Sequence, residues 1–401
     1  MKKLTIPFLF LLCLSLSSHV INGQNNLDAK HLLQSLKIKW DKNNSYEYDL
    51  NYEAIYYSTN YNYKDSSKCY FKKINNNPDS LQFIGQKKEG KKIILSSIYA
   101  GHDYITLFED KKQYTVENIP LQKLNNSYLR RSILMISKAM GEILNDESAL
   151  ISIVDTSMMQ SKYTLVIIEP INKWLSGYGS WKHLTDDKIK KKYLLIVDKK
   201  TQLPVQFISQ TIITGEDKID FERFVYKNVI VNKPPKTNYI WKTESIVKGY
   251  KPFVKEDPKK VIQKKEKLPS FSLPSYQPEN IGKVSLDEFK DQIILIDFWF
   301  KACGPCQKAL PHFNEIQQKY MDKPFKLITI NVEDNENDMA FFHNKLQPTY
   351  PMLFKGQKYF NSLGFSGCPT SLLINKNGEV ENIFIGFDQL KVEKAIEALF
   401  K

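Results

Sequence analysis

Two cysteines three residues apart, Cys303 and Cys306, are the residues of this 401-residue chain best placed to do chemistry. They close the stretch Asp297-Phe298-Trp299-Phe300-Lys301-Ala302-Cys303-Gly304-Pro305-Cys306, which follows the apolar run Ile293-Ile294-Leu295-Ile296. A strand leading straight into Cys-x-x-Cys brings two thiols close enough to share one disulfide with little strain, and a turn ahead of a helix sets their reactivity. The chemistry this spacing serves is thiol–disulfide exchange.

The remaining cysteines fit a chemical use better than a structural one. Cys13 lies in an N-terminal apolar stretch, which leaves Cys69, Cys303, Cys306 and Cys368 for the rest of the chain. Four cysteines are too few to staple a fold of this length. The six His (19, 31, 102, 183, 312 and 343) are scattered, and none stands at metal-ligand spacing from Cys303. No metal and no cofactor is therefore expected. Cys69 alone reads as a buried small hydrophobe, and His312 as a surface residue.

The compartment follows from the first residues. Lys2 and Lys3 precede an apolar run, Leu4 to Leu16, that is too short to span a bilayer comfortably. Cleavage after Gly23 fits, so residues 1–23 read as a secretory signal peptide. The chain is then exported to the periplasm, where disulfides persist; an uncleaved leader would tether it to the membrane. Net charge is +13, carried almost wholly by Lys, with Arg only at 130, 131 and 223. Residues 268–401 hold 14 Lys against 16 Asp plus Glu, so the excess sits in the preceding part. With few Arg forks and an export signal, nucleic acid is not an expected partner.

The elements that must position these residues fall into two textures. Residues 25–250 open with a helical period over 27–40 (Ala29, Leu32, Leu33, Leu36, Trp40) and then alternate with period two from Tyr46 to Tyr56. Further strands are expected near 80–85, 92–99, 103–108, 113–117, 163–168, 193–198, 204–213 and 221–231, with one helix over 121–145. This is an α+β domain built on a long antiparallel sheet. Residues 251–267, with many Lys and two Pro, read as a linker. From Leu268 strands and helices alternate: strand 292–299, helix 303–320, strand 326–332, helix 337–346, strands 349–354, 370–375 and 380–386, and helix 390–400. That pattern predicts an α/β sheet with helices on both faces.

Residues 268–401 resemble a thioredoxin-fold domain of the TlpA/ResA class. The resemblance rests on Leu268-Pro269-Ser270-Phe271-Ser272-Leu273, Asp297-Phe298-Trp299, Cys303-Gly304-Pro305-Cys306, Pro311, and Gly367-Cys368-Pro369-Thr370, in that order. The extra strand and helix within 326–354 are typical of that class. The resemblance implies a thiol-disulfide oxidoreductase with Cys303 as nucleophile, Cys306 as resolving thiol, Asp297 as a buried proton acceptor and Pro369 in a cis peptide bond. It implies that Trp299, Gly304, Pro305, Cys368 and Thr370 border the substrate. Two positions depart from the family pattern: Ala302 stands where Trp is usual, and Cys368 precedes the expected cis-proline. Cys368 could act as a third thiol, but a small apolar contact is the plainer expectation.

The Gly-Pro pair between the cysteines is the reducing thioredoxin pattern. The expected activity is reduction, or isomerisation, of disulfides in a protein substrate, with electrons from a DsbD/CcdA-like membrane reductant that the family implies. The N-terminal helix, the tyrosine-rich strands and Asp198-Lys199-Lys200-Thr201-Gln202-Leu203-Pro204 are similar to the half-barrels of LolA/LppX-type carriers. That similarity implies a concave face able to shelter a hydrophobic ligand. The alternative function is thus a hydrophobic-ligand carrier with a redox-sensing thioredoxin-like appendage.

Overall fold

The computed structural model describes residues 23–400 except 76, 159–160, 177–178, 235–240 and 255–259. Apart from Gly23, the expected signal peptide lies outside the described residues. Among those described, no helix is long and apolar enough to cross a membrane. The chain forms two compact units: residues up to 56 with 62–253, and residues 57–61 with 254 onward.

In the first unit, helix α1 (Gly23–Asp41) buries Ala29, Leu33, Leu36 and Trp40, a stripe three to four residues apart. The strands are β1 (Ser45–Tyr56), β2 (Tyr61–Ile74), β3 (Asn77–Glu89), β4 (Lys92–Tyr99), β5 (Asp103–Phe108), β6 (Gln113–Asn118), β7 (Leu150–Met158), β8 (Ser161–Glu169), the short hairpin β9 (Lys173–Leu175) and β10 (Trp181–His183), β11 (Ile189–Asp198), β12 (Pro204–Ile213), β13 (Asp220–Val231) and β14 (Lys251–Pro252). Twelve of them make one sheet in the order β14-β6-β5-β4-β3-β2-β1-β13-β12-β11-β8-β7. All its neighbours with a recorded register run antiparallel except β14 on β6.

Alternate residues of β1 (Tyr46, Tyr48, Leu50, Tyr52, Ala54) are buried, as the period of two requires. Aromatic rings then stack from strand to strand: Tyr193 on Phe207, Phe207 on Phe224 and Phe224 on Tyr52, with centroids 5.4–5.9 Å apart. Cross-strand aromatic pairs of this kind stabilise a sheet beyond the burial of their area.

The expected helix over 121–145 is broken. A 3-10 turn (Leu121–Lys123) precedes α2 (Ser127–Arg130), and α3 (Ile133–Leu144) starts afresh. Asn126 and Ser132 cap the two helices, accepting hydrogen bonds from the backbone N–H of Leu129 and Met135. Each capping side chain satisfies an amide that a continuous helix would have bonded internally.

The second unit holds β15 (Ser272–Gln277), β16 (Asn280–Ser285), β17 (Ile293–Trp299), β18 (Phe325–Asn331), β19 (Met352–Leu353), β20 (Thr370–Ile374) and β21 (Val380–Ile385), in the sheet order β16-β15-β19-β18-β17-β20-β21. Around it lie α4 (Gly304–Lys319), α5 (Glu336–Leu346), α6 (Gln357–Ser362) and α7 (Gln389–Ala398). Every residue of β17 is buried, as befits a central strand covered on both faces. Ile293, Leu295 and Trp299 pack with Ala309, Leu310 and Phe313 of α4. Ile294, Ile296 and Phe298 pack on the other side with Phe360 of α6.

The stretch 251–267, expected as a linker, contains the boundary between the two units and carries ordered contacts on each side of it. Lys251 and Pro252 pair with Gln113 and Tyr114. Farther on, Ile262 is buried, Ile262 N–H donates to the Leu363 carbonyl, and Lys265 N–H donates to that of Val380. Lysine-rich composition hid these contacts because they run through the backbone and one isoleucine, while the lysine heads stay outside.

Candidate active site

Strand β17 delivers the chain into a short turn, and α4 begins at once. Cys303 is the residue that caps α4, and its Sγ accepts a hydrogen bond of 3.2 Å from the backbone N–H of Cys306. Pro305 sits in the first turn, where its missing N–H leaves no hydrogen bond unmade. Cys303 and Cys306 are joined in a disulfide, with Cα atoms 5.2 Å apart. Cys303 keeps 5% of its surface exposed, whereas Cys306 has none. The sulfur at the helix start faces backbone N–H groups and the positive end of the helix dipole, both of which favour a thiolate. The deeper sulfur lies within the apolar cluster between α4 and the sheet.

Asp297 lies in β17 on the face covered by α4 and is fully buried. Its Oδ1 accepts a 2.6 Å hydrogen bond from the Ser371 hydroxyl, while Oδ2 has no partner. Burial drives its carboxyl up from the usual carboxylate range to about 8, against the smaller opposing pull of Ser371.

The turn before Cys303 is held from three sides. Lys301 N–H donates to Asp334 at 2.6 Å, Lys301 Nζ pairs with Asp338 at 2.8 Å, and Gln307 Nε2 donates to the Lys301 carbonyl. Asp338 also belongs to the capping box that starts α5. Opposite, the Cys368–Pro369 peptide bond is cis, and the Pro369 carbonyl accepts from Gly386 N–H. Cys368 is half-buried and packs against both core layers; burial is the chief cause that pushes its thiol up to about 12. A thiol so held is protonated at neutral pH and a poor nucleophile.

Two of the residues expected to border the substrate lie inside the fold. Trp299 is completely buried, edge-on to Phe342, so it supports the floor beneath α4. Thr370 is 1% exposed, and its hydroxyl donates to the Gly367 carbonyl, bracing the cis-proline loop from within. Ser371 and Thr329, absent from the expected site, flank Asp297 in register on β20 and β18. Their strand spacing alone could have hinted at this, but only once the order of the sheet was known.

The Redoxin family model matches residues 263–399. Those residues are a thioredoxin-superfamily segment of the TlpA/ResA type. The thiol-disulfide oxidoreductase ResA of Bacillus anthracis is 32% identical over 105 residues, 26% of this chain and 61% of that protein. The chain thus spans about three fifths of the length of such relatives. ResA of Halalkalibacterium halodurans is 25% identical over 136 residues, 33% of this chain and 76% of that protein. The solved structure of StoA from Bacillus subtilis shares 26% identity, covering 32% of this chain and 97% of StoA with a TM-score of 0.28. The redoxin segment accounts for the sheet of the second unit and for both cysteines of the pair.

A separate cavity of about 230 Å³ lies in the first unit. Tyr193, Phe207, Phe224 and Tyr226 line it from the sheet, and Met135, Ile136 and Ala139 from α3. Gly179 closes one side in a left-handed turn (φ 70°), so near α3 that a Cβ there would stand 2.9 Å from the Ala139 nitrogen and the Met135 carbonyl. Glycine alone tolerates both the angle and the approach.

Proposed function

We propose that this protein is an exported thiol-disulfide oxidoreductase that reduces disulfides in protein substrates through Cys303 and Cys306. The observation that carries the reading is the capping geometry: the Cys303 sulfur accepts the Cys306 N–H at the start of α4, three residues from a fully buried second sulfur. Cys303, as thiolate, attacks one sulfur of the substrate disulfide, forming a mixed disulfide and releasing the other sulfur as thiolate. Cys306 gives its proton to Asp297 and attacks Cys303. The pair is oxidised by two electrons, and the substrate leaves as a dithiol. The cis Cys368–Pro369 loop offers backbone to an extended substrate chain, and Gly304 leaves the approach to Cys303 open. A membrane reductant of the DsbD/CcdA kind would return the pair to the dithiol.

The reading is tested by insulin reduction with the full chain. Cys303→Ser is expected to abolish turnover, and Cys306→Ser to accumulate a mixed disulfide that identifies the substrate. Turnover by Cys303→Ser at the wild-type rate would overturn the reading.

The aromatic-floored cavity favours a second role for the first unit, as a carrier of a hydrophobic ligand. Organic extraction of the purified full chain followed by mass spectrometry tests it. A bound apolar compound supports the carrier role, and an empty extract counts against it.

A further inference from the structure

We infer that Ser371 is a positioning residue that fixes which oxygen of Asp297 carries the proton during exchange. This inference rests on the reaction proposed above. Asp297 pairs in register with Thr329 on β18 and with Ser371 on β20, so the three side chains form a polar row across the sheet. None is more than 1% exposed. The row lies among Leu295, Leu327 and Leu373 in the apolar layer that also contains Cys306.

Within it the hydrogen bonding is one-sided. Ser371 Oγ donates to Asp297 Oδ1 at 2.6 Å, whereas Asp297 Oδ2 and Thr329 Oγ1 are both buried without a partner. A donor at Oδ1 leaves Oδ2 as the site where a proton is best accepted. Thr329 makes no hydrogen bond to Oδ2, so Ser371 is the side chain that bonds the carboxyl. The Ser371 hydroxyl donates more strongly to the ionised carboxylate and so favours that form.

The titratable groups facing Asp297 from the other elements are Cys303 and Cys306 of α4, Cys368 of the cis-proline loop and Tyr350, whose phenol and the Cys368 thiol both feel its charge. None of these brings a positive charge. Ser371 is thus the group that lowers the pH at which Asp297 can take the Cys306 proton. When it does, Cys306–SH and Asp297–COO⁻ become thiolate and carboxylic acid, and the thiolate displaces the substrate sulfur from Cys303.

The resolving step is read with the reduced full chain and 5,5′-dithiobis(2-nitrobenzoate). Attack by Cys303 releases one thionitrobenzoate, and resolution by Cys306 releases the second. In Ser371→Ala the midpoint of the second phase should move up by about one pH unit, a roughly tenfold slowing on the acid side. Ser371→Thr and Ser371→Val have the same shape and differ in the hydroxyl; Thr should keep the wild-type profile and Val should shift like Ala. A Ser371→Val profile superimposed on that of Ser371→Thr overturns the inference, whatever the stability of Ser371→Ala. Loss of the first phase in Cys303→Ser together with that superposition leaves the exchange reaction standing and removes only the role of Ser371.

Discussion

A carboxyl group sealed in the sheet with a single hydrogen-bond donor ties the fold of the redoxin segment to pH. Asp297 goes from an ordinary value of 3.8 to about 8 on folding. Below pH 4 it is protonated in both states and has no effect on stability. Between 4 and 8 the unfolded chain loses the proton while the folded one keeps it, so stability falls as pH rises. About four pKa units correspond to roughly 5 kcal/mol, from which the unmet hydrogen bonds of a replacement must be subtracted. Asp297→Asn should therefore stabilise the C-terminal unit by about 3 kcal/mol at pH 8, and the gain should vanish near pH 4. Urea titrations of the full chain at both pH values check this; equal gains at both would show that Asp297 is not held protonated. The same residue should slow resolution when changed, so stability and chemistry oppose each other there. Asp297 was legible from its place before Cys-x-x-Cys, whereas Ser371 lies 74 positions away and meets it only through strand pairing.

At the scale of elements, the turn that presents Cys303 depends on the start of α5. Lys301 and Asp338 are 20% and 3% exposed in their side chains and stand 2.8 Å apart. Removing Lys301 leaves the buried Asp338 carboxylate with neutral donors only, Asn60 Nδ2 and Asn335 N–H, which costs about 3 kcal/mol. Lys301→Ala should destabilise the C-terminal unit by that amount, and Lys301→Met combined with Asp338→Asn, which keeps an acceptor for the capping box, should recover most of it. Thermal melts of the single and double variants check the pairing; additive losses would mean that the two charges act separately. The sequence showed α4, α5 and β17 clearly because their apolar periods are long. It hid β2, where Lys64-Asp65-Ser66-Ser67 interrupts the alternation, although its later residues Cys69 and Phe71 are buried. The break between α2 and α3 was hidden too, since Arg130-Arg131-Ser132 fits a helix until the Ser132 hydroxyl is seen capping the next one.

On the scale of the whole molecule, the chain carries two units with separate cores, one built around Cys303 and Cys306, the other around rings stacked across a twelve-stranded sheet. Every residue lining the aromatic cavity belongs to the first unit. Both the basic excess and the three Arg of the chain also fall there, with Arg130 and Arg131 at the cavity and Arg131 over the Tyr52 ring at 3.4 Å. An apolar floor beside two guanidinium groups suits a probe with fused rings and one sulfonate, so 8-anilinonaphthalene-1-sulfonate should bind the full chain saturably. Met135 is 8% exposed and lines the cavity from α3, so Met135→Trp places a larger ring in that space. Overpacking costs about 1–3 kcal/mol, which a two-unit chain can absorb without unfolding the other unit. Met135→Trp should lose most of the fluorescence enhancement while reducing insulin within twofold of the wild-type rate. Parallel titration and turnover assays on one preparation check this, and a matching fall in both would show that the cavity and the cysteine pair work as one site.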